Sequence, residues 1–201
     1  MADHDTHDHT GVPGVATGSV ATDPIWAAEG DIVVATGDNA AAVLTKGATG
    51  TVPTAGASTL AYAFPPGYEV DYVEKTSSTT INGTNEAGAN IIVTSNSVTF
   101  DGTACWFEFY CPQIASPNGV NLFIVLFDNT ASTSAGIGRL AVITNATSQT
   151  HAGTYKRKLT PSAGARTFSV RGYVASSSGV LQGGPGGTTA YMPTYLRISK
   201  A

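Results

Sequence analysis

Apolar and polar positions alternate along residues 104–114. Cys105, Phe107, Phe109 and Cys111 fall on one side of an extended chain, and Trp106, Glu108 and Tyr110 fall on the other. Ser116-Pro117-Asn118-Gly119 interrupts the run, and residues 122–127 follow as a stretch with no polar position. Aromatic and β-branched residues on both sides of a Pro-Asn-Gly turn predict two neighbouring antiparallel strands. A strand that is apolar on both faces needs a second sheet on one side and another cover, often a neighbouring subunit, on the other. The same punctuation runs through residues 67–201. Strands are predicted at 68–76, 91–94, 97–100, 104–114, 120–127, 138–144, 153–159, 166–175 and 190–198, separated by Asn-Gly, Asp-Gly and Gly-rich turns. No segment holds a helical stripe over three turns. The pattern predicts an all-β chain in which a C-terminal jelly-roll β-sandwich is preceded by an extended N-terminal arm and a short stalk.

Four segments are expected: an extended His/Asp-rich arm and linker (1–23), a short stalk or anchoring module (24–54), a linker (55–66) ending in Pro65-Pro66-Gly67, and the sandwich (67–201). The apolar pieces of the stalk, marked by Trp26, Ile32, Val34 and Leu44, are too short to bury themselves within one chain. They are expected to be buried between chains, as in a fibre stalk.

Charge sharpens this division. Residues 1–66 hold seven acids and one base, Lys46, whereas 67–201 hold seven acids and nine bases. Charged residues make up 12% of the chain, about half the usual share. That suits strands and turns, or a subunit that hides surface in an assembly. A net charge of −4 gives no reason to expect a nucleic-acid partner. No apolar run reaches the roughly 18 residues of a membrane helix, and no basic-then-apolar leader opens the chain, so a soluble protein without a membrane partner is expected. Cys105 and Cys111, six apart on one strand, would lie roughly 20 Å from each other, beyond the reach of a disulfide. They read as small buried hydrophobes.

No Gly-x-Ser-x-Gly elbow, His-Glu-x-x-His, Cys-x-x-Cys or P-loop occurs. His151 is the only histidine beyond the arm. Glu108, flanked by aromatic residues, is expected to meet a cation such as Arg171 or Arg197. Residues 183–187 are Gly-rich but precede a strand, so they read as a loop and not a phosphate cradle. Lys156 and Lys158 share one side of a strand and read as a solvated edge. These observations predict a protein without catalytic residues. The arm offers one candidate for chemistry: His7 and His9 share one side of an extended chain, and three copies around an axis would supply six imidazoles to one transition metal.

Longer stretches resemble known proteins. Trp26-Ala-Ala-Glu-Gly-Asp-Ile-Val-Val-Ala-Thr-Gly-Asp-Asn-Ala-Ala-Ala-Val-Leu44 resembles a module of tailed-bacteriophage virion proteins, and His4 to Pro13 resembles the arm that opens some of them. Leu159-Thr-Pro-Ser-Ala-Gly-Ala-Arg-Thr-Phe-Ser-Val-Arg171 and Tyr191-Met-Pro-Thr-Tyr-Leu-Arg-Ile-Ser-Lys200 are similar to the closing strands of their heads, which resemble tumour-necrosis-factor-like jelly rolls. The resemblance implies a homotrimer on the virion surface, made in the host cytoplasm, with a trimeric stalk. It implies an interface and core at Phe107, Phe109, Phe123, Val125 and Phe127. A single stalk module implies a short capsid-decoration protein or head spike, held by its arm to the major capsid protein or another virion protein. The alternative is a short tail fibre whose tip loops, 116–118 and 176–187, recognise a host cell-surface glycan.

Overall fold

The computed structural model describes residues 31–37, 40–55, 60–131, 136–144 and 150–201, which are strands and turns. His7, His9 and Trp26 lie outside them. The chain divides into two compact units, Met1–Pro65 and Pro66–Ala201.

In the first unit β1 (Ile32–Gly37) pairs with β2 (Ala40–Leu44), and β3 (Val52–Ala55) pairs with β4 (Leu60–Ala63), both antiparallel. Ile32 stands opposite Leu44 across the first ladder. Ile32 is 36% exposed, and Val34 and Leu44 are half-buried. At the mouth of this hairpin the Asp31 carboxylate accepts the Lys46 backbone N–H at 3.0 Å. β4 corrects the expectation of a linker over 55–66. Leu60 and Tyr62 alternate with alanine, too short a pattern to read alone, and β3 supplies the missing ladder.

The second unit continues with β5 (Glu69–Lys75), β6 (Thr79–Ile81), β7 (Asn90–Thr94), β8 (Val98–Phe100), β9 (Cys105–Ala115), β10 (Asn121–Asp128), β11 (Gly138–Thr144), β12 (Thr150–Leu159), β13 (Gly164–Arg166), β14 (Phe168–Val174), β15 (Gly179–Gln182) and β16 (Thr194–Lys200). β12 runs along one edge of β9 for its whole length. The other edge is shared by β16, from Cys105 to Tyr110, and β15, from Gln113 to Ala115. β5 extends the sheet beyond β16, and β6 extends it beyond β15. The second sheet has the order β11-β10-β14-β7. The pairing of β5-β16-β9-β12 with β7-β14-β10-β11 is the strand order of a jelly roll.

The core lies between these sheets. Cys105, Phe107, Phe109 and Cys111 point into it from β9, Leu122, Ile124 and Leu126 from β10, and Phe168, Leu196 and Ile198 from β14 and β16. The Phe107 ring packs edge-on against Phe168 with centroids 4.8 Å apart. Both cysteines are buried and free. Phe107 and Phe109 have no accessible surface, which corrects the expectation that they meet another subunit: their facing partners are in the same chain.

Phe123, Val125 and Phe127 point the opposite way on β10, into a smaller cluster with Tyr173 and Ala89. Phe123 stacks on Tyr173 at 4.5 Å under the Arg139 guanidinium, and Arg171 lies 4.2 Å over the Phe127 ring. Gly136 sits on Val125 so closely that a Cβ there would fall 2.1 Å from its methyl, and the Glu86 carboxylate holds the Gly136 N–H. The predicted burial of residues 122–127 on both faces is present. The second cover includes the chain's own loops and arginines, so Val125 and Phe127 also have almost no surface for a neighbour.

Chain direction sorts the loops to two ends. Tyr68, Ala104, Leu159 and Ala201 lie at one end, where Gly67 N–H donates to Lys200 C=O at 2.9 Å. Residues 116–120 and 175–178 lie at the opposite end, and the loop 183–193 leaves the sheet between β15 and β16, partway along β9. At the first end the buried Lys200 ammonium donates to Asp101 Oδ1 at 2.6 Å and to Thr103 Oγ1 at 2.8 Å. Burial works to raise the Asp101 carboxyl, but Lys200 and the Thr103 hydroxyl and amide outweigh it and hold it well below the usual carboxylate range. A depressed folded value contributes stability above the ordinary carboxylate value that is lost as pH falls. Asp101→Asn is therefore expected to cost about 1 kcal/mol at neutral pH, less than a fully buried charged hydrogen bond because the carboxylate is half exposed. The deficit should shrink steadily below about pH 4, as read by urea denaturation across pH.

Candidate functional site

The outward face of β5-β16-β9-β12 has no cover among the described residues of the second unit. Register places its side chains in three rows: Glu74, Tyr195, Tyr110 and Thr154; then Tyr72, Arg197, Glu108 and Lys156; then Glu69, Ser199, Trp106 and Lys158. Such rows arise because side chains two apart on each strand share a face and cross-strand neighbours stand side by side.

Three tyrosines cluster at one end of the face and Trp106 stands at the other. Tyr195 stacks on Tyr110 at 5.2 Å and meets Tyr72 at 5.3 Å. Lys156 and Lys158 hold their ammonium groups 5.1 and 5.8 Å from the Trp106 ring. The acids are taken up within the face. Tyr195 OH donates to Glu108 Oε1 at 3.0 Å, with Lys156 Nζ 3.8 Å from Oε2; Tyr72 OH donates to Glu74 Oε1 at 2.7 Å; Arg197 Nε lies 2.9 Å from Glu69 Oε2. The expected cation beside Glu108 is thus present, but within the chain it is Lys156 and not Arg171 or Arg197. Arg171 belongs to the other sheet, and Arg197, although opposite Glu108 in register, turns to Glu69.

Burial and the Glu74 acceptor push the Tyr72 phenol up to about 12, and burial with the Glu108 acceptor also raises Tyr195. A raised folded value gives stability that is intact below the ordinary tyrosine value of 10.0 and is lost as pH climbs through about 12. Thermal melts between pH 9 and 12 should show an alkaline fall in Tm that is shallower in Tyr72→Phe; equal slopes would argue against the coupling.

Sequence reading put the interface and core on Phe107, Phe109, Phe123, Val125 and Phe127; Phe107 and Phe109 are core, and none of the five lies on the open face. The alternation of Trp106, Glu108 and Tyr110 and the shared side of Lys156 and Lys158 were its visible traces. What was missing was the register that joins them. His151 pairs with Ile114, six positions along β9 from Glu108, roughly 20 Å away. Among the described residues no three His, Cys, Asp or Glu converge as metal ligands.

No protein-family model matches the chain, and no curated protein matches it in sequence. Among solved structures it is similar to VP2 of infectious bursal disease virus in a subviral particle, at 8% identity and a TM-score of 0.34 over 83% of this chain. The match spans 45% of that chain, so this protein covers less than half its length.

Proposed function

We propose that this protein is a non-enzymatic structural component of a tailed-bacteriophage particle, a homotrimer that decorates the capsid or stands on it as a short spike held by its N-terminal arm. One observation supports head-to-tail self-association: the two rims of the open face bear opposite charge. Glu69 and Glu74 stand on the β5 rim, Lys156 and Lys158 on the β12 rim, and Tyr195, Tyr110 and Trp106 lie between. Three acids and three bases make the face neutral as a whole, so a second copy meets no net repulsion. An acidic rim set against the basic rim of the next copy is a head-to-tail contact, which closes into a ring where the rotation between copies divides a full turn and runs on as a filament where it does not. Tyrosine and tryptophan suit such a face because they bring large apolar area with a polar tip. The virion setting rests on the resemblance of residues 26–44 and of the closing strands.

A second reading, a short tail fibre that binds a host glycan, is favoured by the end opposite Pro66. Towards that end Tyr191 is 43% and Met192 58% exposed, with the Tyr191 hydroxyl donating to Gln113 Oε1 at 2.6 Å. Light scattering of the purified protein should give three times 20.5 kDa; a monomer at micromolar concentration would overturn the trimer. Gold labelling of intact particles separates the roles. Signal over the head supports decoration, signal at the tail tip supports host recognition, and signal on neither sinks the virion reading.

A further inference from the structure

Asn-Gly occurs twice in the chain, at Asn82-Gly83 and Asn118-Gly119, and the fold treats the two pairs in opposite ways. We propose that Asn118 is a site of spontaneous deamidation and that Asn82 is shielded from it. The reaction begins when the backbone nitrogen following an asparagine attacks its side-chain amide carbon. A carbon–nitrogen bond forms and closes a succinimide. The bond from Cγ to Nδ2 breaks, and ammonia leaves with the displaced proton. Water then opens the ring at either carbonyl, giving aspartate or isoaspartate. The step therefore needs a nitrogen that is free to approach, with room for the ring.

Asn118-Gly119 meets both conditions. Val120 N–H closes the turn on Pro117 C=O at 3.2 Å, which leaves the Gly119 N–H outside the turn's own bond. Gly119 has φ +68°, and a Cβ built there would find nothing within 4 Å. Both residues are exposed. Asn82-Gly83 fails on each count. Asn90 Oδ1 accepts from Asn82 N–H at 2.9 Å and from Gly83 N–H at 2.8 Å, so the attacking nitrogen is already engaged. Gly83 C=O is held in turn by Val174 N–H at 2.8 Å, and a Cβ on Gly83 would fall 2.1 Å from Gly88 C=O. The backbone at Gly83 is gripped on three sides.

The product puts a carboxylate on the end of the sandwich opposite Pro66, and in the isoaspartyl form lengthens the turn by one backbone atom. The test is peptide mapping by mass spectrometry after incubation of the full chain at mildly alkaline pH, with an isoaspartyl assay. The Asn118 peptide should convert, with isoaspartate among its products. The Asn82 peptide should convert more slowly by roughly tenfold or more, the rate equivalent of breaking one hydrogen bond. In urea both nitrogens are free, and the two rates should converge. Asn118→Gln should remove the fast site, and Asn90→Ala should release Asn82. Equal rates in the folded protein, an inert Asn118, or a rate difference that survives unfolding would each overturn the proposal.

Discussion

Phe107→Ala should destabilise the sandwich by about 3–5 kcal/mol, the range for removing a large aromatic side chain from a core that collapses only in part. Phe107 has no exposed surface and sits on β9, the strand with neighbours along both edges. Its ring meets Phe168 edge-on, and Phe168 meets Phe100 at 5.5 Å, so the deletion opens a hole among three rings. A fall in Tm of roughly 10 °C or more follows for a unit of this size, measured by calorimetry. Trp106→Ala, one residue away on the open face, should leave the melting of the isolated subunit much closer to wild type. If the two variants melted alike, the inward and outward assignment of β9 would be wrong.

Tyr195→Asp should leave the fold intact and abolish assembly. Tyr195 is the hub of the open face, stacked on Tyr110, in contact with Tyr72 and bonded to Glu108. In a trimer closed through this face, the substitution sets an unpaired carboxylate beside Glu108 in a contact without water, a penalty of about 3–5 kcal/mol. That weakens each contact at least a hundredfold. Light scattering should then report a monomer whose circular dichroism matches wild type. Tyr195→Phe keeps both ring contacts, loses only the bond to Glu108, and should still assemble. A trimer that survives Tyr195→Asp would move the interface to another surface without touching the jelly roll.

The strands that could be read from the sequence are those whose information is local. Alternation along residues 104–114 assigns Cys105, Phe107, Phe109 and Cys111 to one face, and the structure puts all four inside. The all-apolar run at 122–127 announces burial on two sides. What covers the second side was not legible: Gly136 and Glu86, which help close it, are fifty positions apart in the chain. The short strands β6, β13 and β15 carry no periodic signal, because three or four residues such as Thr79-Thr80-Ile81 take their extended form from the ladder they join. Residues 190–193, read as part of the last strand, form a loop in which Gly184 N–H and Gly186 N–H bond back to Met192 and Tyr191. The open face was hidden for the same reason. Its rows join Tyr195 to Tyr110 and Glu108 to Lys156, and only long-range register puts those residues side by side.

The meeting of Gly67 with Lys200 makes the sandwich nearly a closed circuit. The ends of a folded unit this close can be joined by a short linker and the circuit reopened elsewhere, wherever the backbone is exposed and makes few bonds. The turn at Asn118-Gly119 is such a place, at the other pole. A permuted polypeptide beginning at Gly119 and ending at Asn118 would keep both sheets and the core. It would emerge from the pole opposite Pro66, so that a cargo fused to the sandwich could be carried at either pole of the same fold.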